Sequence, residues 1–303
     1  MRVVLLHDFY LDHHVRLPEL EESMEKIKEI HMRGGGNYLG IEQSLSQGGS
    51  ATNTCRALSS LGMDCSLITK TSELGYELLG YFLRGVDLSH VKRNGELGLT
   101  TALEFGGESN VMINHPGSNR DFGFDDLEDE DLKIIEQSDM LAIFNWSHNS
   151  KGTELIRGLL DLALEHKIKT FLDTNDPSPR KDVDELRALV KHPGLKILGL
   201  NENELKLISG EDIVDEGIKA LERFCRVDLH TKDFSYSRGK KVSSYKVKVN
   251  RLTGAGDHWS AGDMYAELMG YDTEKRLRFA NAFAALYVST GKTPALEEAI
   301  NFL

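Results

Sequence analysis

The sequence predicts an α/β protein in which helices flank a doubly wound, mostly parallel central sheet and a small second β-sheet forms a lid. Strand-like and helix-like segments alternate from about residue 110 onward, as expected of parallel strands joined by crossover helices. An early stretch with period-2 alternation predicts antiparallel strands instead. The chain has 303 residues, 40% of them hydrophobic, and only 6 prolines. We therefore expect one interwoven unit over residues 1–303, without a proline-rich linker.

Composition argues against several classes of protein. The formal net charge is −12, which repels a nucleic-acid backbone, so we expect no nucleic-acid partner. Apolar runs are far shorter than the roughly 20 residues of a membrane span, and the amino-terminal run is too short for a secretory signal. We therefore expect a cytoplasmic protein without membrane association. The 3 cysteines form no C-x-x-C pair, which argues against a disulfide framework and a zinc ribbon.

The central sheet is predicted from three strand-then-helix units. Each unit has a short apolar or β-branched run followed by a longer amphipathic one. The pairs are 140–144 with 152–166, 170–172 with 182–191, and 195–200 with 201–208. Parallel strands with helices on both faces would bury all of these apolar surfaces.

The lid is predicted from the stretch at about 20–50. Residues 26–32 alternate polar and apolar side chains, three glycines interrupt the pattern, and residues 38–45 alternate again, which favours a half-exposed antiparallel pair. We place the lid at about 12–48, with a second segment near 97–115. A plain edge hairpin without a moving role is the alternative. The exposed apolar face of such a lid would be covered by a second copy, so we expect a homodimer through the lid.

The most informative segment is a glycine turn between a predicted strand at 245–249 and a predicted helix at 255–269. The first N–H groups of a helix lack intrahelical partners and the helix dipole is positive there, so such a turn suits an anion. Gly254 and Gly256 would let a phosphate approach bare backbone. Asp257 has a simple helix-capping interpretation. A phosphoryl-transfer enzyme, however, also needs a carboxylate there to take the proton of the acceptor hydroxyl.

A second glycine segment runs from Gly48 to Asn53 and leads into apolar residues at helical spacing that end at Gly62. Paired glycines beside Asn53 suit a backbone that lies close to a hydroxyl-rich ligand. Taken alone, the segment favours a plain turn and helix cap, and only its context changes that interpretation.

Together these segments resemble the ribokinase family, also called the PfkB carbohydrate kinases, through nearly the whole chain. One such motif is weak evidence, but four stand in the family's order. They are the early strand ending in a sugar-binding Asp (Tyr10-Leu11-Asp12), the G-G-x-x-x-N segment (Gly48-Gly49-Ser50-Ala51-Thr52-Asn53), the N-x-x-E motif (Asn201-Glu202-Asn203-Glu204) and the G-A-G-D motif (Gly254-Ala255-Gly256-Asp257). The implied fold is ribokinase-like with a β lid.

The resemblance implies transfer of the γ-phosphoryl group of ATP, with Mg²⁺, to a hydroxyl of a sugar or similar small polyol. It makes Asp257 the base. It also implies that the backbone N–H groups of Gly254, Ala255, Gly256 and Asp257 form an anion hole. Asn145 stands where ribokinase itself carries a Glu, so ribose is not the expected substrate. The residues implied to bind substrate are Asp12, Gly48, Gly49, Asn53 and Asn145.

The nucleotide side is implied by the N-x-x-E motif. Glu204 would hold Mg²⁺ through water, since Mg²⁺ gives up its hydration reluctantly, and Asn201 would act with it. Without the family, the same pair is equally well explained as an Asn cap and an exposed Glu. Further implied nucleotide contacts are Thr231 and Lys232, after the strand at 227–229, and Asn281, in a helix rich in small residues.

Departures from the family pattern leave other functions open. Arg251-Leu252 replace the usual Asp-Thr ahead of G-A-G-D, and because that Asp helps to place a monovalent cation, the replacement argues against potassium activation. A nucleoside kinase of the same fold and a non-catalytic sugar- or nucleotide-binding protein are the alternatives. A metal site among His7, Asp8 and their neighbours and a dinucleotide loop at 34–36 lack the required spacing and context.

Overall fold

The structure, a computed structural model, describes residues 1–106 and 109–303. Its strands in those residues are β1 (Arg2–His7), β2 (Tyr10–Leu17), β3 (Glu42–Gly48), β4 (Asp64–Lys70), β5 (Val91–Lys92), β6 (Gly98–Phe105), β7 (Ser109–His115), β8 (Met140–Phe144), β9 (Lys169–Asp173), β10 (Ile197–Leu200), β11 (Arg226–His230), β12 (Phe234–Ser237) and β13 (Lys240–Ser243). Its α-helices there are α1 (Leu20–Met32), α2 (Ser50–Ser60), α3 (Glu73–Phe82), α4 (Asp129–Glu136), α5 (Gly152–His166), α6 (Val183–Val190), α7 (Glu202–Ser209), α8 (Val214–Leu221), α9 (Ala255–Leu268), α10 (Thr273–Thr290) and α11 (Leu296–Phe302).

The central sheet has the strand order β13-β12-β11-β10-β9-β8-β1-β4-β5 within the described residues. All neighbouring pairs are parallel except those that involve β12 and β13 at one edge. In β1, Val4 and Leu6 pack in one apolar cluster with helices α5 to α8. Val3 and Leu5 pack on the other face with α2, α9 and α10, because successive side chains of a strand point to opposite faces. The predicted doubly wound fold class is confirmed.

The lid is a four-stranded sheet in the order β3-β2-β6-β7 within the described residues. Strand β2 begins only three residues after β1 ends, so the lid continues directly from an interior strand of the main sheet. Asp12 of β2 pairs with Thr100 of β6, which pairs with Asn114 of β7. This row of polar side chains faces the main body. Of the second lid segment predicted near 97–115, residues 107 and 108 lie outside the described residues.

The prediction of a lid strand at 26–32 is wrong, because those residues belong to helix α1. Glu, Lys, Met and Leu dominate the helix, and their summed helix propensity outweighs a short period-2 pattern. Its alternation is only apparent, since Ile27 and Ile30 are three residues apart and share a helix face. The partner predicted at 38–45 is displaced as well, because strand β3 begins at Glu42 and pairs with β2.

The strand predicted at 245–249 is also absent from the described structure, in which the edge strand β13 ends at Ser243. The chain leaves the sheet there and runs along the carboxy-terminal helices. The ring of Tyr245 lies 5.1 Å from that of Phe302, and the N–H of Asn250 donates to the carbonyl of Val288 at 2.9 Å. Contacts with those helices replace the strand pairing that the alternation predicted. In the described residues, no helix combines the length and apolar character needed to cross a membrane.

Candidate active site

A cleft of about 430 Å³ lies between the lid and the carboxyl ends of the central strands. In open α/β sheets this edge is where ligands bind. Polar side chains reach this edge from the ends of five strands, β1, β8, β9, β10 and β11. Each is the last residue of its strand or the residue that follows it. These side chains are Asp8, Asn145, Asp173, Asn201 and His230.

The glycine turn at 252–257, called the reactive turn below, lines this cleft and leads into helix α9. Gly254 has φ +89°, a conformation that strongly favours glycine. The N–H of Ala255 donates to the carbonyl of Leu252 at 2.9 Å, so this predicted anion-hole donor is used inside the turn. The N–H groups of Gly254, Gly256 and Asp257 make no hydrogen bond in the described part of the chain. The available donors are therefore these three amides.

Asp257 lies in the first turn of α9, with its carboxylate in the cleft. Its Oδ2 accepts a hydrogen bond from Nδ2 of Asn53 on helix α2 at 2.8 Å. Burial, and to a lesser degree the negative charges of Asp173 and Asp8, raise the pKa of Asp257 to about 8. A carboxyl group with such a pKa suits a general base near neutral pH. Asn53, predicted as a substrate contact, here orients the predicted base.

Asp12 lies on the lid side of the cleft. Burial raises the pKa of its carboxyl group to about 6. A Cβ atom on Gly48 would overlap both carboxylate oxygens of Asp12, so glycine is needed there for the acid to occupy its position. The φ of Gly49 is +96°, and a Cβ there would lie 2.6 Å from the carbonyl oxygen of Asp8. Both glycines of the predicted motif are therefore explained by close approach, and Gly49 also lines the cleft.

Asp8 was not assigned to the binding site from the sequence, yet it organises the floor of the cleft. Its carboxylate accepts hydrogen bonds from the N–H groups of Ser50 at 3.0 Å and Ala51 at 2.8 Å, which caps helix α2. It also accepts one from Nδ2 of Asn145 at 2.9 Å. The only available signal was its position at the end of an apolar strand.

Asn145 lies where predicted, at the end of β8, with φ +59°. Its Oδ1 accepts from the N–H of His148 at 3.1 Å, and both residues line the cleft. Tyr10 lines it too, and its buried hydroxyl has no partner in the described structure. Tyr10 and His148 were missed from the sequence, because an aromatic residue on a lid strand has no distinctive spacing.

The N-x-x-E motif forms a capping box at the start of α7. Oδ1 of Asn201 accepts from the N–H of Glu204 at 3.0 Å, and Oε2 of Glu204 accepts from the N–H of Asn201 at 2.8 Å. Burial and the charge of Asp173 raise the pKa of Glu204 to about 8. Both residues also line the cleft, so the capping and functional interpretations are compatible.

The other three nucleotide-side candidates do not line the cleft. Oγ1 of Thr231 accepts from the N–H of Phe234 at 2.9 Å in the turn between β11 and β12, and Lys232 is exposed in that turn. Oδ1 of Asn281 accepts from Nε1 of Trp259 at 2.9 Å. Their contact with nucleotide stays a prediction. The residue that β11 does bring to the cleft is His230.

Mg²⁺ prefers oxygen ligands, and the cleft offers the carboxylates of Glu204, Asp173 and Asp176. Within the described residues, no three His, Cys, Asp or Glu side chains form a group able to hold a metal ion. These carboxylates therefore suit an ion that is shared with phosphate oxygens and water. The donor chemistry fits Mg²⁺ under that condition.

An α/β sheet with a glycine turn, a buried acid and a polar lid around one cleft is the arrangement of a small-molecule kinase. Residues 24–299 match the pfkB family carbohydrate kinase profile. The chain belongs to that family and is a carbohydrate kinase, as expected from the sequence.

Individual relatives are similar at low identity. The chain is 23% identical to ribokinase from Haemophilus influenzae, over 99% of this chain and 98% of the relative. It superposes on Arabidopsis thaliana ribokinase complexed with ribose and ATP with a TM-score of 0.74 and 19% identity, covering 99% and 97% of the two chains. Adenosine kinase from Sinorhizobium meliloti gives a TM-score of 0.77 and 19% identity at the same coverage. The fold is therefore shared by sugar and nucleoside kinases and does not decide the substrate.

Proposed function

We propose that the protein transfers the γ-phosphoryl group of ATP to a hydroxyl of a small neutral polyol, such as a sugar, in a reaction that needs Mg²⁺. The observation that carries the proposal is the convergence of Asp257, the amides of the reactive turn and the polar row of the lid on one cleft. The structural relative solved with ribose and ATP supports it.

In this proposal the substrate lies against the lid, where Asp12 and Asn145 hold its hydroxyl groups. Asp257 accepts the proton of the attacking hydroxyl. The N–H groups of Gly254, Gly256 and Asp257 donate to the phosphoryl oxygens as charge develops on them. Bound Mg²⁺ would supply positive charge to the phosphate oxygens, and Glu204 would hold it through water.

The charge of the cleft supports a neutral substrate. No Lys or Arg is among the described residues that line it, whereas Asp8, Asp12 and Asp173 are. A sugar acid would bring its carboxylate close to these acids without a partner cation. A nucleoside would need an apolar slot for its base, and among the described lining residues the large apolar side chains are Met112, Leu252 and the ring of Tyr10. Both observations favour a polyol over these alternatives.

The proposal includes a homodimer formed through the lid. The lid face that points away from the cleft exposes apolar side chains, among them Leu45, Leu99, Val111 and Ile113. Such a face is costly in water and typical of an interface between copies. The cytoplasmic location stays a prediction.

The test is an ADP-release screen over pentoses, hexoses, inositols, sugar acids and nucleosides with wild type, Asp257→Asn and a control. Asp212→Asn changes an exposed loop acid and should behave as wild type. We expect Asp257→Asn to lose about 10²- to 10⁴-fold in kcat while the substrate still raises its melting temperature. If wild type consumes no ATP with any neutral polyol but binds one, the non-catalytic alternative replaces the proposal.

A further inference from the structure

Two side chains outside the cleft hydrogen-bond the carbonyl groups of the reactive turn, and a third supports them. The hydroxyl of Tyr287 donates to the carbonyl of Thr253 at 2.6 Å, and Nδ1 of His258 lies 2.7 Å from the carbonyl oxygen of Gly254. Nε2 of His258 lies 3.0 Å from Oγ1 of Thr293. The rings of His258 and Tyr287 are stacked, with centroids 3.6 Å apart and planes 14° apart. We call His258, Tyr287 and Thr293 the carbonyl clamp.

The hydrogen bonds define the protonation of the histidine. A carbonyl oxygen can only accept, so Nδ1 of His258 must carry a proton, and in the neutral ring Nε2 then accepts from the hydroxyl of Thr293. Burial lowers the pKa of His258 to about 4, which agrees with a neutral ring in this tautomer at neutral pH. The ring is thus held from both of its nitrogens.

The clamp determines where the N–H of Gly254 points. In a trans peptide the C=O and the N–H lie on opposite sides. Because Tyr287 holds the carbonyl of Thr253 from outside the cleft, the N–H of the next residue, Gly254, is turned the other way. A Cβ on Gly254 would lie 2.9 Å from the hydroxyl of Tyr287, so glycine also allows this close contact.

A monovalent cation that supported this turn would need the same kind of oxygen ligands. The carbonyls of Thr253 and Gly254 already accept side-chain hydrogen bonds. The guanidinium carbon of Arg251 lies 6.0 Å from the centre of the Tyr287 ring, and its positive charge lowers the pKa of His258 further after burial. A second cation would therefore meet occupied acceptors and a like charge. The residues present do not fit the monovalent cation that the family resemblance suggests.

We infer that the carbonyl clamp positions the reactive turn for phosphoryl transfer and does so in place of a monovalent cation. This inference rests on the proposed kinase reaction. It makes His258 and Tyr287 positioning residues, which act through the turn and do not touch the substrate.

The first test compares Tyr287→Phe with wild type. The variant keeps the stacked ring and removes only the donor to Thr253. Tyr265→Phe is the matched control, because Tyr265 is buried on α9 and packs on Phe279. We expect kcat to fall at least tenfold in Tyr287→Phe, with the polyol KM and the melting temperature close to wild type. Unchanged kcat, or a loss explained by unfolding alone, would overturn the inference.

The histidine and cation arms complete the test. His258→Asn can still donate from a position near that of Nδ1, whereas His258→Phe keeps a stacked ring without a donor, so we expect the Asn variant to retain more kcat. Wild-type rates in KCl and in tetramethylammonium chloride of equal ionic strength should agree within twofold. Activation of wild type by K⁺ of tenfold or more would contradict the inference and leave the proposed function intact.

A wild type without turnover would defeat the proposed function, and a binding readout then decides the clamp. The rise in melting temperature caused by ATP with Mg²⁺ should be smaller in Tyr287→Phe than in wild type and in Tyr265→Phe. An equal rise in all three proteins, or no rise in wild type, would overturn the clamp.

Discussion

Replacing Gly48 with Ala should weaken substrate recognition without unfolding the protein. The new Cβ would overlap the carboxylate of Asp12, so this group must withdraw by about 1 Å to restore a normal contact. The backbone at Gly48 has no left-handed φ, and the atoms that must move are the end of a side chain. A displaced Asp12 loses its hydrogen bonds to substrate hydroxyls, which is worth about 1.5–3 kcal/mol for a charged acceptor. This corresponds to a decrease in kcat/KM of about 10- to 150-fold.

The assay measures kcat/KM for the best polyol and KM for ATP by ADP release, together with urea unfolding. Gly80→Ala is the matched control, since a Cβ on this helical glycine meets nothing within 4 Å. Gly49→Ala is the contrasting variant, because φ is +96° and its Cβ would lie 2.6 Å from the backbone oxygen of Asp8. We expect Gly48→Ala to change only polyol kinetics and Gly49→Ala to lower stability.

Normal polyol kinetics in a folded Gly48→Ala variant would refute the reasoning, because the overlap with Asp12 would then have no functional effect. A loss of stability as large as that of Gly49→Ala would also count against it, since the strain would then lie in the backbone and not in the acid.

Two further predictions concern stability and assembly. Between pH 6.5 and 8 the ligand-free protein should lose stability as pH rises. The pKa values of Glu204 and Asp257 are raised to about 8, so in the folded state these groups keep protons that the unfolded chain has released. The free energy of unfolding should fall by up to about 1.4 kcal/mol per pH unit for each group. In Glu204→Gln, the unfolding free energy measured with urea should fall less steeply with pH than in wild type. An equal pH dependence in the two proteins would contradict the raised pKa of Glu204. The double variant Leu45→Lys with Ile113→Lys should be monomeric by light scattering at concentrations where wild type is dimeric, and an unchanged mass would contradict the lid interface.

The central sheet was predictable because its strands are buried on both faces. Segments such as Met140–Phe144 are buried throughout, so an uninterrupted apolar run is enough to mark them. The lid was harder, because its strands are half-exposed and depend on their neighbours. The alternation at 26–32 belongs to a surface helix in which only Ser23 and Ile30 are buried. Because so few of its residues are buried, the helix has no clear apolar stripe with helical spacing in the sequence.

Site residues carried by local motifs were located in the cleft from the sequence, as Asp12, Glu204 and Asp257 show. Roles that depend on a distant partner were not predicted, even for Asn53, which was itself predicted as a site residue. Asp8 caps a helix that begins 42 residues later, and Asn53 contacts an acid 204 residues away. No spacing rule connects such positions, because folding alone brings them together.

Two of the connections between the lid and the main body are short. Only Asp8 and Phe9 join β1 to β2, and only Gly49 joins β3 to α2. The side chain of Asn119 makes two hydrogen bonds to the backbone of Phe9. It accepts from the N–H at 3.1 Å and donates to the carbonyl at 2.7 Å. A movement of β2 and β3 relative to the main sheet would therefore act on Asp8 and Gly49, which are themselves part of the cleft. Opening of the lid to admit a sugar would in this way be coupled to loosening of the capped end of α2. The affinity for the substrate and the order of that helix should therefore change together.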